Sequence, residues 1–181
     1  MKMNLEEKTL STKQIFEGKI ISVQVDTVQL PNGEQSTREL VKHPGAVAVI
    51  PVTKDGKIIM VRQFRKALEK EIIEIPAGKL ELGEAPEVTA IRELEEETGY
   101  TTKQLQYVQS FYTSPGFADE IIYLYYTDQL EPMIDEAELD EDEFVEVMEV
   151  SLDEAETFMK EEKIHDAKTV FALMFLKLKG M

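Results

Sequence analysis

An acidic segment near the middle of the chain places the strongest constraint on its fold. The segment reads GEAPEVTAIRELEEETG. It predicts a helix that begins near Pro86 and ends before Gly99, because proline suits the first helical turn and glycine the position just past the last. On such a helix Glu93, Glu96 and Glu97 stand at i, i+3 and i+4, so their carboxylates share one face. Like charges repel in water, so this face is either well solvated or prepared for a cation, and hard divalent ions prefer oxygen ligands.

The composition indicates a folded and strongly acidic protein. Twenty lysines and arginines stand against 36 acidic residues, which gives a formal net charge of -16. This charge disfavours nucleic acids and anionic membranes as partners, because both are polyanions. An anionic substrate would need local basic residues or a metal ion. The chain has no cysteine, which excludes thiolate nucleophiles and cysteine-based zinc sites. It also lacks an apolar stretch long enough to span a membrane, so we expect a soluble, cytoplasmic protein.

The order of the predicted elements indicates an α/β or α+β fold. Alternating apolar residues on both sides of turn sequences predict two hairpins: 18–30 with 38–41 around Pro31-Asn32-Gly33, and 45–52 with 57–64 around Asp55-Gly56. Further strands are expected at 71–75 and near 105–112, 120–127 and 143–150, and closing helices at 153–162 and 166–179. Mixed strands, one central helix, further strands and then two helices predict an α/β or α+β sandwich with one core.

The acidic helix is part of a longer pattern with fixed spacings. From Gly78 the sequence fits G-x5-E-x7-R-E-U-x-E-E-x-G-U, where U is apolar, with one mild departure at Tyr100, where an aliphatic residue is commoner. A chance match in a chain of this composition is on the order of one in a million. A solvated acidic helix face is the alternative, but it does not explain the offsets of Gly78, Glu84, Arg92 and Gly99. The pattern is the Nudix box, and the chain resembles Nudix hydrolases.

This resemblance implies an α/β/α sandwich that hydrolyses nucleoside diphosphates linked to another moiety, with Mg²⁺ or Mn²⁺ as cofactor. It implies metal ligands at Glu93 and Glu97, with Glu96 beside them, and at the backbone carbonyl of Ala77. Mg²⁺ keeps several waters and bridges carboxylates to substrate phosphates, which suits this donor set.

Two segments that flank the box narrow the resemblance to one branch of the family. The box is preceded by EIIEIPAGKLELGE and followed by SFYTSPGFADE, and Pro115 lies 16 residues beyond Gly99. A proline at this spacing resembles the ADP-ribose pyrophosphatases, and the likeness covers nearly the whole chain. The tripeptide Ser114-Pro115-Gly116 predicts a tight turn whose N–H and hydroxyl groups can bond a ribose, although it is also a common turn.

The branch also implies a set of substrate contacts. Arg65 aligns with a phosphate-binding arginine, whose planar fork can hold a pyrophosphate at two points. Arg38 and Glu39 match a pair that contacts the adenosine end, and Glu120 resembles a contact to the terminal ribose. The expected substrate-binding residues are therefore Arg38, Glu39, Arg65, Ser114, Pro115, Gly116 and Glu120.

The catalytic residues expected from the resemblance are Glu96, Arg92 and Glu141. Arg92 has a structural alternative, because it can bridge a carboxylate such as Glu84 and hold the loop against the helix. The run DEDEF resembles the late acidic loop that supplies the base in this branch. A match without gaps puts the base at Glu141 and a metal contact at Glu143, and a plain acidic loop is the alternative.

The whole pattern predicts Mg²⁺-dependent hydrolysis of the pyrophosphate bond of ADP-ribose to AMP and ribose 5-phosphate. The alternatives are a hydrolase of other ADP-sugars or dinucleoside polyphosphates and a non-catalytic nucleotide-binding Nudix module. The branch implies a homodimer, and we expect residues 1–42 to form an N-terminal β-hairpin subdomain that serves dimerisation. Residues 43–181 would form the Nudix hydrolase domain, with a small nucleoside diphosphate sugar as ligand and no nucleic acid or membrane partner.

Overall fold

The computed structural model describes residues 4–133 and 144–181, and within them it confirms a mixed α/β fold. The helices are α1 Pro86–Thr98, α2 Leu152–Lys160 and α3 Ala167–Lys179. The strands are β1 Lys8–Glu17, β2 Ser22–Gln29, β3 Gln35–Lys42, β4 Ala46–Pro51, β5 Ile58–Arg65, β6 Lys70–Glu74, β7 Ala77–Lys79, β8 Tyr100–Thr102, β9 Gln106–Tyr112, β10 Ile121–Thr127, β11 Leu130–Pro132 and β12 Val145–Val150.

A small N-terminal unit comprises Met1–Gly45 together with Tyr112–Ile121. Its sheet is antiparallel in the order β1-β2-β3. The predicted hairpin is present as β2 and β3, with Gly33 in the turn at φ 90, a left-handed value that glycine adopts without strain. The sequence did not reveal β1, because every residue of this strand is exposed and no buried alternation marks it.

The main unit, Ala46–Phe111 with Ile122–Met181, contains a sheet in the order β7-β4-β10-β9. Strand β4 lies at its centre and runs parallel to β10. Alternate side chains of β4 enter two different cores: Val47 and Val49 pack with Leu94 of α1, whereas Ala48 and Ile50 pack with residues of α2 and α3. The period of two along a strand thus builds helix layers on both faces of the sheet.

The predicted second hairpin is wrong in its pairing. The chain does turn at Asp55-Gly56, but β4 and β5 belong to different sheets, and the bridge at the turn joins Val52, just past β4, to Ile58. Strand β5 instead pairs antiparallel with β6 on one side and β12 on the other. Strand β4 and the first half of β5 are buried, so the backbone groups there need a hydrogen-bonding strand on each side, and a plain hairpin would supply only one.

Helix α1 has the predicted boundaries. Pro86 occupies its first turn, where the missing N–H is not needed. Gly99 ends it with φ 71, and its N–H donates to the carbonyl oxygen of Glu95 at 2.9 Å. Asp166 caps the start of α3, because its side chain accepts a hydrogen bond from the N–H of Thr169.

Candidate active site

Two glutamates of α1 are buried, which is unusual for carboxylates. Glu93 is 7% and Glu97 4% exposed. The Oε2 atom of Glu97 accepts a hydrogen bond from the N–H of Ala77 at 2.9 Å. A Cβ atom placed on Gly78 would lie only 1.9 Å from Cδ of Glu93. The first glycine of the box therefore leaves the space that the Glu93 carboxylate occupies, and strand β7 and helix α1 bring these oxygens together.

Arg92 is paired with two carboxylates of the acidic helix and with Glu84 in the loop before it. Its Nη2 lies 3.0 Å from Oε1 of Glu93, and its Nη1 lies 2.7 Å from Oε2 of Glu96. The expected bridge to the loop is also present, at 3.6 Å from Oε2 of Glu84, which accepts a hydrogen bond from Thr89 Oγ1. Partial burial alone would lower the pKa of Arg92, but the charges of these glutamates outweigh it and raise that pKa.

The arrangement fits a hard divalent cation without presenting a complete cage. Among residues 4–133 and 144–181, no group of three or more acidic or histidine side chains is arranged to hold a metal. Glu93 and Glu97 are buried, whereas Glu96 is partly exposed and bonds Arg92. The candidate ligand atoms are the carboxylate oxygens of these glutamates and the carbonyl oxygen of Ala77. Mg²⁺ prefers such oxygen ligands. Glu141 and Glu143 lie outside the described residues.

Arg65 is oriented by a buried carboxylate. Its Nε donates to Oε1 of Glu74 at 2.8 Å and its Nη2 to Oε2 of the same side chain. Glu74 is 1% exposed and also accepts a hydrogen bond from Lys168 Nζ at 2.7 Å. The Arg65 side chain remains 40% exposed. One edge of the guanidinium is thus fixed in the protein, while part of the side chain stays accessible to solvent.

This network makes a pH-dependent contribution to stability. Burial raises the pKa of Glu74, but the hydrogen bond from Arg65 and the charge of Lys168 outweigh it, so the pKa lies below its ordinary value. Glu74 then binds fewer protons in the native state than in the unfolded chain, so its stabilisation is present above the ordinary pKa and is lost as the pH falls.

We expect Glu74→Gln to lower the free energy of unfolding by about 3 kcal/mol near neutral pH, because it leaves two cations without their shared counter-charge. The difference between wild type and variant should shrink as the pH falls below about 5, because the Glu74 carboxylate gains a proton in the unfolded chain before it does in the native protein. Urea unfolding of both proteins across a pH series measures this. A difference that stays constant with pH would contradict the assignment.

In the N-terminal unit, Arg38 is paired within its own chain. Its Nε and Nη2 donate to the two carboxylate oxygens of Glu7, and its Nη1 lies 3.1 Å from Ser36 Oγ. The adjacent Glu39 is exposed on β3. A ligand that uses Arg38 would therefore have to compete with Glu7.

The Ser114-Pro115-Gly116 segment forms the predicted turn, closed by hydrogen bonds from the N–H groups of Phe117 and Ala118 to the carbonyl oxygen of Ser114. Pro115 and Gly116 are exposed.

The end of this loop is fastened to the end of β3. Val41 N–H donates to the carbonyl oxygen of Phe117, and Asp119 accepts from Lys42 Nζ at 2.9 Å. Glu120 accepts a hydrogen bond from Thr113 Oγ1 and lies 3.7 Å from Nε2 of His43. The N-terminal unit thus brings the turn and the strand that carries Arg38 and Glu39 into one packed structure.

Sequence reasoning missed Glu74 and Lys168. A signal for Glu74 existed, since an acidic residue within the apolar run EIIEIP demands a cationic partner if the strand is buried. No local signal points to Lys168, because 94 residues separate it from Glu74.

Two family models match the chain in succession. The nucleoside diphosphate sugar hydrolase N-terminal domain matches residues 7–41, and the NUDIX domain matches residues 42–173. The chain belongs to the NUDIX family. The resemblance read from the box is therefore confirmed.

Individual relatives extend this finding over nearly the full length. The chain is 60% identical to an ADP-ribose pyrophosphatase of Bacillus subtilis (strain 168) over 176 residues, 97% of this chain and 95% of the relative. It is also 60% identical to a methanol dehydrogenase activator of Bacillus methanolicus over 173 residues, 96% of this chain and 94% of the relative. A crystal structure of an ADP compounds hydrolase matches the fold with a TM-score of 0.86 at 21% identity, covering 99% of this chain and 98% of that one.

Proposed function

We propose that this Nudix hydrolase cleaves the pyrophosphate bond of ADP-ribose in a Mg²⁺-dependent reaction and releases AMP and ribose 5-phosphate. The observation that carries the proposal is the complete box, with Glu93 buried beside Gly78 and Glu97 buried beside Ala77. The printed name of the Bacillus subtilis relative, an ADP-ribose pyrophosphatase matched over 97% of this chain, supports the choice of substrate.

The metal would be held by Glu93, Glu97 and the carbonyl of Ala77, with Glu96 and Glu143 as further ligands. When bound, Mg²⁺ (or Mn²⁺) supplies positive charge that offsets the diphosphate and makes water a stronger acid. Glu96 is paired with Arg92 through Oε2 at 2.7 Å, so its other carboxylate oxygen is the one that could ligate the metal while this pair is kept.

The remaining roles belong to the side chains that handle the proton and the substrate. Glu141 accepts the proton of the attacking water, and Arg92 fixes the carboxylates of the box. Arg65 donates to the phosphates from its accessible side. The other proposed contacts are Arg38 and Glu39 to the adenosine end, and Ser114, Pro115, Gly116 and Glu120 to the terminal ribose.

A substrate panel tests this proposal. The purified full chain with Mg²⁺ is given ADP-ribose, a second ADP-sugar, a GDP-sugar and a diadenosine polyphosphate, and product release is measured. We expect the highest kcat/KM for ADP-ribose and loss of release on chelation of the metal. If another compound is cleaved and ADP-ribose is not, the chain is still a Nudix hydrolase but its substrate is that other compound. Tight ADP-ribose binding without any cleavage would favour the non-catalytic module.

A second candidate is activation of a dehydrogenase, because the Bacillus methanolicus relative with that name is also 60% identical. Adding the chain to purified methanol dehydrogenase and measuring the dehydrogenase rate tests it. A Glu97→Gln variant serves as the matched control. Activation by the wild type but not by the variant would tie the effect to hydrolysis, whereas activation by both would indicate binding alone.

We also propose a homodimer in which the N-terminal subdomain, residues 1–42, contributes the contacts, and a cytoplasmic location. None of the described helices is long and apolar enough to cross a membrane. Sedimentation of the purified protein tests the dimer, since a mass near 20.7 kDa would indicate a monomer.

A further inference from the structure

The first turn of α3 contacts the end of β6 at the buried carboxylate of Glu74. Lys168 Nζ lies 2.7 Å from Oε2 of Glu74 and 2.9 Å from Oδ1 of Asp166, and the Lys168 side chain is 11% exposed. Beside this ion pair, the N–H of Ile75 donates to Oγ1 of Thr169 at 3.1 Å. The backbone that leads into the box is thus held by a helix from the far end of the sequence.

The charges of this cluster are balanced across four side chains. Glu74 carries one negative charge and faces two cations, Arg65 and Lys168. Asp166 pairs with Lys168, so the formal charges of the four groups sum to zero. Without Lys168 the cluster would carry a net negative charge, and Glu74 would have Arg65 as its single cationic partner here. Both changes would weaken the attraction of Arg65 for an anion.

Arg65 is also within electrostatic reach of the box. The hydrogen bond to Glu74 is the main cause of its raised pKa, and the charge of Glu97 contributes as well. The cluster around Glu74 therefore acts on an arginine that is close to a proposed metal ligand.

We propose that Lys168 is a positioning residue for Arg65: it holds the Glu74 carboxylate in place and balances its charge, so that the guanidinium stays oriented and positive toward the substrate diphosphate. This inference rests on the proposed function, which assigns Arg65 to the phosphates. Lys168 itself acts through Glu74 and needs no contact with the substrate.

The test compares Lys168→Met with wild type in the full chain, using Mg²⁺ and ADP-ribose. We expect KM to rise roughly tenfold with a change in kcat of less than about threefold, because the lost charge acts mainly on substrate attraction. Lys168→Arg keeps the charge and should restore most of the KM. The matched control is Lys177→Met: Lys177 lies on the same helix and pairs with Glu156 at 2.7 Å on the surface, and its loss should leave KM unchanged.

A double-mutant cycle separates positioning from a general loss of stability. In an Arg65→Lys background, Lys168→Met should raise KM much less than it does in wild type, because the arginine it positions is gone. An equal increase in both backgrounds would overturn the proposal. So would a folded Lys168→Met protein with wild-type KM.

If Lys168→Met does not fold, Asp166→Asn decides the question. Asparagine also caps helices well, so the start of α3 is retained. The removal of one negative charge from the cluster should lower KM about twofold, and an unchanged or raised KM would overturn the proposal. A wild-type protein that releases no AMP from ADP-ribose would overturn the proposed function together with this inference, whereas an active wild type with unresponsive variants overturns the inference alone.

Discussion

Replacing Glu97 by glutamine is expected to lower kcat for ADP-ribose hydrolysis at least about a hundredfold. Substituting a residue that only hydrogen-bonds to a metal ligand typically costs about 10- to 100-fold, and loss of a ligand itself should cost more. Glu97 is 4% exposed, and its Oε2 accepts a hydrogen bond from Ala77 N–H at 2.9 Å. A glutamine carbonyl oxygen can accept the same bond, so the substitution removes the charge and keeps the shape. The variant should fold and bind Mg²⁺ weakly.

Steady-state kinetics at several Mg²⁺ concentrations measure this effect, with circular dichroism to verify the fold. Glu95→Gln is the matched control, because Glu95 lies on the same helix but accepts a hydrogen bond from Thr101 Oγ1. Its kcat should stay near the wild-type value. A folded Glu97→Gln protein with full activity at low Mg²⁺ would remove Glu97 from the proposed metal ligands.

Local signals determined how much of the fold could be predicted. Helix α1 begins at Pro86 and ends before Gly99 as expected, because both boundaries depend on backbone preferences of single residues. The strand pairing of β4 and β5 could not be read in this way. Both strands look like hairpin arms around Asp55-Gly56. In the structure β4 pairs with β10 and β7, and β5 pairs with β12 and with β6, the next strand along the chain. Burial on both faces decides this pairing, and a single strand does not reveal it.

The candidate site shows the same division. Helical spacing correctly places Glu93 and Glu97 on a common face, and both are buried. Spacing does not show which cation neutralises which carboxylate. Glu96 bonds Arg92 in the structure, and Arg65 is held by Glu74, which itself depends on a lysine of α3. Such partners are set by tertiary packing, so only the three-dimensional arrangement identifies them.

Gly78→Ala is expected to lower kcat/KM about a hundredfold and to weaken Mg²⁺ binding at least about tenfold, with little loss of stability. The added Cβ would lie 1.9 Å from Cδ and 2.1 Å from both carboxylate oxygens of Glu93. These atoms are the end of a flexible side chain, so Glu93 can rotate away while α1 stays in place. The methyl group would then occupy the position of a proposed metal ligand.

Calorimetric Mg²⁺ titration and thermal unfolding together test this prediction. Gly56→Ala is the matched control, because it should lower stability and leave activity unchanged, the reverse of Gly78→Ala. Gly56 lies in a turn at φ 82, and a Cβ there meets nothing within 4 Å. Its substitution should cost about 1 kcal/mol of stability, because alanine is strained at positive φ, and should leave kcat/KM unchanged. If Gly78→Ala keeps wild-type Mg²⁺ affinity and activity, the position of the Glu93 carboxylate beside Gly78 is not required for metal binding or catalysis. Global unfolding of that variant would show that the contact serves the fold, because the displaced carboxylate alone should cost the fold little.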